Sequence, residues 1–365
     1  MLHRERLVGA GLVAALVLLL LLTGTLARAY REKEHELAAE WSERGEAALV
    51  DGRPAEAVEA FRTALAYARG NEALALRLAQ ALLAAGRADD ARSYFLTLWE
   101  RRPGDGVVNL ELARLALAAG RLEDAVAYYQ GAAHGVWDED PQERRREARH
   151  ELVALWLGRG RKDQAAAELI AIAAELPPRP RLYARVGRLF LAADEPARAL
   201  EAFTRAIDLD RREADALAGA GEAAFRLGDD RRARTYLQRA RAAGAEGAGE
   251  LLETVTLVAQ IDPYVPRLSS LERRRRARRA LAAAGERIAA CPAPLPAPPA
   301  ASWEERLASL QARSARAGAR TDLDFVEDAM TFVFEVVAGT RHCARSTPSD
   351  RALAVVEMRR GGATP

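Results

Sequence analysis

The side chains able to do covalent or metal chemistry are few and scattered. Five histidines stand at His3, His35, His134, His150 and His342, and the two cysteines at Cys291 and Cys343. Zinc centres draw three or four ligands from characteristic spacings, and neither H-E-x-x-H nor C-x-x-C occurs. His342 adjoins Cys343, but two ligands fall short of a zinc site. There is no G-x-x-x-x-G-K-[ST] phosphate loop and no G-x-S-x-G nucleophile elbow. Carboxylates pair only as helix-surface charges. No catalytic, cofactor-binding or metal-binding residue is therefore assigned, and no enzyme is expected. If the chain is exported, Cys291 and Cys343 can form one disulfide, closing a loop of about 50 residues worth up to about 4 kcal/mol in the chain-entropy picture. Two free thiols fit the sequence equally well.

One charged cluster is dense enough to act as a patch. Arg273, Arg274, Arg275, Arg276, Arg278 and Arg279 crowd seven residues, which cover about two helical turns. They cannot share one face, so the stretch is either exposed all round or met by acids. It can contact anionic lipid headgroups, nucleic acid or an acidic partner. It can equally be a solvated helix in an Arg-rich chain. No aromatic residue interleaves, so nucleic acid is not the expected partner.

The elements that must carry these residues are helical. Half of the 365 residues are hydrophobic, aromatics make up only 6%, and alanine dominates, which favours closely packed helices over strands. Against 54 Lys and Arg stand 52 Asp and Glu, a net charge of +2 that excludes both a histone-like binder and an acidic tail protein.

Residues 7–26 carry no charge, and twenty residues in a helix span about 30 Å. The expectation is a transmembrane anchor behind a short tail, 1–6, so that the membrane itself is a partner through the N-terminal helix. A cleaved signal sequence is the alternative, supported by Arg4, Arg6 and the Ala27-Arg28-Ala29 pattern. The expected location is a bacterial inner membrane, single-pass, with the rest of the chain in the periplasm. Arg28, Arg31 and Lys33 beyond the run keep a cytoplasmic orientation open.

Turn residues recur at Gly52, Gly86, Gly120, Gly160, Asp194 and Gly228, spaced 34, 34, 40, 34 and 34 residues apart. Small or slender residues precede each turn at Gly45, Ala79, Ala113, Val153, Gly187 and Gly221. Five residues past the turn comes Ala57, Ala91, Ala125, Ala165, Ala199 or Ala233. Four further on comes Phe61, Phe95, Tyr129, Leu169, Phe203 or Leu237. This pattern resembles the tetratricopeptide repeat (TPR), a helix–turn–helix unit, in six copies over 38–71, 72–105, 106–139, 146–179, 180–213 and 214–247. The resemblance implies an all-α, right-handed TPR-like α-solenoid. The extra residues around Trp137 make either a binding aromatic or a plug at a widened junction.

The resemblance also implies a concave groove lined by first helices. In this sequence its positions are Leu76, Gln80 and Leu83, then Leu110, Arg114 and Leu117, then His150 and Leu157. Arg188, Leu191, Glu222, Phe225 and Arg226 continue it. The Lys/Asn set with which one TPR subclass clamps chaperone C-termini is missing. A leucine stripe broken by single arginines suits a peptide with apolar anchors and one or two acids, with Arg114 and Arg188 as charged anchors. Several of the leucines can instead pack against the next repeat.

Capping helices with the Arg-rich stretch are expected over 248–290, because a solenoid must hide its last apolar face. A proline-rich linker, 291–301, and a small helical module, 302–365, come after them. The functional expectation is a membrane-anchored scaffold or adaptor for a protein or peptide partner in bacterial envelope assembly. The alternative is a cytoplasm-facing assembly or transport chaperone whose Arg-rich helix contacts anionic lipid or polymer.

Overall fold

The structure, a computed structural model, describes residues 2–291, 302–315, 323–343 and 347–361, with side chains from residue 19 onward and, in the third segment, from 324. Among the described residues there are seventeen α-helices and no strand, only an isolated bridge between Asp105 and Val136. The chain divides into two compact units, 1–155 and 156–365.

Unit 1 pairs α1 (Leu2–Val50) with α2 (Pro54–Tyr67), α3 (Glu72–Ala84) with α4 (Ala88–Arg101), and α5 (Gly106–Ala118) with α6 (Leu122–His134). It also holds most of α7 (Pro141–Gly158). Each turn closes the same way. Arg53 N–H donates to Ala48 O, Arg87 to Leu82 and Arg121 to Ala116, the hydrogen bond of a helix terminating in a left-handed residue. Gly52 takes that conformation at φ 71°. Unit 2 repeats the closure with the N–H groups of Arg161, Glu195 and Asp229. There Asp194 stands in the glycine position and adopts φ 62°, a conformation that Asp tolerates better than most residues.

Packing explains the recurring residues. Ala57, Ala91, Ala125, Ala165, Ala199 and Ala233 are fully buried, as are Phe61, Phe95, Leu169, Phe203 and Leu237. A Cβ on Gly45 would come 2.7 Å from Phe61, and one on Gly187 2.8 Å from Phe203. The first helix is small at these points because the aromatic of the second lies against its backbone. The insertion after α6 folds the indole of Trp137 onto Gly106, with Nε1 donating to Ala132 O at 3.0 Å. Trp137 is buried and plugs the junction.

Unit 2 contains α8 (Lys162–Ala174), α9 (Pro180–Ala192) with α10 (Pro196–Leu209), and α11 (Ala214–Arg226) with α12 (Asp230–Ala242). Next come α13 (Ala248–Ile261), α14 (Ser270–Ala290), α15 (Trp303–Ala315), α16 (Leu323–Gly339) and α17 (Pro348–Arg360). The last three do not stand apart: α16 packs on α14, and α17 on α13. A capping box between Thr347 and Asp350 starts α17. The linker residues 292–301 and the Thr321 start expected for α16 lie outside the described residues.

The expected membrane anchor is corrected. Among the described residues, no helix is long and apolar enough to cross a membrane. Leu19 to Leu26 is followed within the same uninterrupted helix by Arg28, Arg31, Glu32, Lys33 and Glu34, and that helix runs on to Val50 as the first helix of the first repeat. Residue 1 lies outside the described residues, and the rest of the tail and the front of the apolar run fall where only backbone is described. The single-pass inner-membrane location and the partnership with a membrane through this helix are withdrawn with the anchor.

Candidate functional site

The face built by first helices in unit 1 is laced with ions rather than open. On α3, Arg77 pairs with Glu46 of α1 and donates to Gln80 Oε1 at 2.9 Å. Leu76 and Leu83 are half-buried and lean on the core formed around Phe61, Leu78 and Phe95. On α5, Leu110 is buried and Leu117 half-buried. The helix presents Arg114 between them.

Arg114 is the centre of the site. Its guanidinium reaches Glu111 at 2.9 Å on its own helix, and Glu147 at 3.3 Å and Glu151 at 2.5 Å on α7. Glu151 also accepts from the Tyr129 hydroxyl at 2.9 Å. The hydrogen bond to Glu151 holds the Arg114 pKa up. Burial pushes the Glu111 carboxyl above its ordinary range, against the pull of Arg114. Burial, then the bond to Glu151, raises the Tyr129 phenol well above its usual value. Three carboxylates thus surround one guanidinium. Arg144 shares Glu147 from the exposed side, so the cluster remains acid-rich.

Arg114, expected as a charged anchor for a partner's acid, is met here by acids of its own chain. Sequence reading missed Glu111, Glu147, Glu151 and Tyr129. The available signal was Glu147 and Glu151 at i, i+4 on the first helix of the next repeat, with Glu111 three residues before Arg114. His150 on α7 is half-buried beside Glu151 in sequence.

In unit 2 the other groove residues serve packing or pair locally. Leu157 is half-buried and Leu191 buried. Arg188 is exposed and pairs with Asp215 at 2.7 Å. Arg226 pairs with Glu222 at 2.6 Å and donates to Leu191 O at 3.0 Å. Phe225 is not open to a ligand: it is buried, and the Arg359 guanidinium from α17 lies 4.8 Å over its ring.

The Arg-rich patch is divided by its own packing. Arg273, Arg274 and Arg276 are half-buried, whereas Arg275, Arg278 and Arg279 are exposed. Arg274 donates to Ser314 O at 3.1 Å and stands over the Phe325 ring. Arg276 pairs with Glu272 at 3.1 Å and donates to Asp262 O. The side of α14 that continues through Ala277, Ala280 and Ala284 is core, so the six arginines form no continuous charged surface. Cys291 and Cys343 are joined as a disulfide, with Cα atoms 5.8 Å apart.

A pocket of about 480 Å³ lies between the α11–α12 turn, the α13–α14 connection and the end of α17. Arg231, Arg234, Arg276, Arg359 and Arg360 line it against Asp229, Asp230 and Asp262. Arg359 is taken by Asp230 at 2.8 Å within the lining, and Arg360 by Glu327 outside it at 3.1 Å.

Two stretches of the chain, 48–105 and 185–248, match models described as tetratricopeptide repeat. No curated protein matches the sequence. Among solved structures, the chain is similar to the C-terminal part of a TPR repeat-containing protein from Cytophaga hutchinsonii. The identity is 15% and the TM-score 0.45, over 65% of this chain and 93% of that one. It is similar to PilW, described as a type IV pilus biogenesis factor, at 20% identity and TM-score 0.37, over 62% of this chain and 98% of that one. It is also similar to the TPR2AB domain of yeast Sti1 in its pHSP90 complex, at 17% identity and TM-score 0.26, over 60% of this chain and 99% of that one.

Proposed function

We propose that this tetratricopeptide-repeat protein is a non-catalytic scaffold that holds a peptide segment of another protein against the first-helix face of unit 1. The segment carries apolar anchors and at least one lysine or arginine. The observation that carries this reading is the acid excess around Arg114. Glu111, Glu147 and Glu151 converge on the half-exposed Arg114, with Arg144 reaching Glu147 from outside, and burial already makes the Glu111 charge costly. A partner's cation laid over the cluster relieves that cost, whereas an acid adds to it. Half-buried Leu76 and Leu83 on α3 and Leu117 on α5 offer apolar contact.

Repeat proteins of this build gain affinity by reading extended or helical peptides through spaced apolar anchors, with charge fixing the register. The test is a panel of labelled peptides sharing one leucine pattern and differing only in a central Lys, Gln or Glu. Anisotropy should rank them Lys over Gln over Glu. The preference should weaken with salt and vanish in Glu147→Gln with Glu111→Gln. Equal binding of all three, or a preference for Glu, refutes the charge reading. Absence of binding by every peptide refutes the groove.

A further inference from the structure

The disulfide of unit 2 has a third potential ligand beside it. The Sγ of Cys291 lies 3.8 Å from the Nε2 of His342. One atom each from Cys291, His342 and Cys343 can be chosen so that all lie within 4.8 Å of one another. A tetrahedral zinc ion bound to sulfur at about 2.3 Å and to nitrogen at about 2.0 Å keeps such ligands about 3.5–3.8 Å apart. The distance from Cys291 to His342 already matches that spacing, and the two sulfurs, bonded to each other here, reach theirs by moving apart once the bond is reduced.

Their placement does not rest on the sulfur–sulfur bond alone, because Arg287 holds both segments. Its carbonyl accepts from Cys291 N–H at 3.1 Å, which ends α14. Its guanidinium donates to Cys343 O at 3.0 Å and to Thr340 O at 2.7 Å. Asp350 neutralises that guanidinium. Cys291 is buried, Cys343 half-buried and His342 exposed, so one side faces solvent, where an ion can enter and a water can complete four ligands.

We infer that, when Cys291–Cys343 is reduced, the two sulfurs and the His342 imidazole form a site for a thiophilic divalent ion of the zinc class. A dithiol supplies the electrons: it is oxidised to its cyclic disulfide while the protein bond becomes two thiols. Binding then replaces the two S–H bonds with two metal–sulfur bonds, and both protons leave to water. Neutral His342 contributes the Nε2 lone pair. Two thiolates cancel the ion's charge, which suits a half-buried place. Two sulfurs and a nitrogen select zinc or cobalt over magnesium or calcium. Oxidation closes the same site, so metal occupancy follows the thiol state.

The test uses the full chain, reduced with a dithiol, freed of it under inert gas and titrated with Zn²⁺ or Co²⁺ alone. The expected result is one ion per reduced chain, none per oxidised chain, and thiolate-to-cobalt charge-transfer absorption. His342→Ala leaves both cysteines in place and should bind at least about tenfold more weakly. Cys343→Ser should lose the site. Circular dichroism of the reduced, metal-free chain should keep the helical signal. Three results overturn the inference: no more metal on the reduced chain than on the oxidised, undiminished affinity in His342→Ala, or loss of the helical signal on reduction that zinc does not restore.

Discussion

Arg287 and Asp350 meet at 3.2 Å with both side chains almost fully buried, although 63 residues separate them. Their pair ties α14 to the start of α17, where Asp350 also accepts from the Thr347 N–H. Removing one partner of a buried pair leaves a charge without compensation, and the cost is large. Arg287→Met is expected to lower stability by about 3–5 kcal/mol. Asp350→Asn keeps an acceptor for both donors but strands the buried Arg287 cation, which cannot lose its charge, so it should cost at least as much. Chemical denaturation of the full chain measures both, with the order of the two variants as the check.

Gly219 faces the ring of Phe203 so closely that an added Cβ would overlap it. Gly219→Ala should destabilise unit 2 by about 1–3 kcal/mol through overpacking, although alanine is the better helix former. Phe203→Leu in the same chain should recover part of the loss. Thermal melts of the single and double variants decide it.

Asp262 is buried and its carboxylate accepts from the Tyr264 N–H at 2.9 Å. Burial raises its pKa. The folded chain therefore keeps this proton to higher pH than the unfolded chain does. Stability falls as pH climbs from the ordinary aspartate value, about 3.9, through the raised folded one. Asp262→Asn retains the acceptor and removes the charge. The variant should match the wild type in acid and exceed it at neutral pH, and urea midpoints across that range report the difference.

Burial likewise raises the Glu111 carboxyl, with Arg114 opposing it. Arg114→Gln removes the cation that opposes this rise, so the folded pKa of Glu111 should climb further. The same sign applies: the penalty is absent below the unfolded glutamate value, about 4.3, and grows above it. Half-exposure of Arg114 keeps the loss near 1 kcal/mol at neutral pH. Urea unfolding at acid and neutral pH should show the variant and wild type converging in acid.

The repeats were legible because packing imposes the same demand every 34 residues. Gly45 must be small under Phe61, and Gly187 under Phe203, wherever they fall in the chain. The charged face was not, because its bonds join equivalent helices of neighbouring repeats. Arg114 reaches Glu147 and Glu151 across 33 and 37 residues. Which acid meets which arginine depends on the extra residues after α6 and on the seat that Gly106 gives Trp137. Periodicity alone therefore showed single arginines where the structure has an ionic cluster. The apolar run before Arg28 misled for a related reason: its own composition was read apart from the charged helix that continues it. The disulfide joins two positions that spacing alone could not bring together.

The tie between Arg359 and Asp230 spans 129 residues. Most contacts in this molecule are local, and repeats of this kind can form in the order in which the chain emerges. Closing a loop of that length carries an entropy cost, which the packing of α17 on α13 shares. The end of α17 also covers Phe225, which belongs to a repeat completed more than a hundred residues earlier. During synthesis that phenylalanine lacks this cover until α17 has emerged, so unit 2 passes through an interval with part of an apolar face open to chaperones or to misassembly.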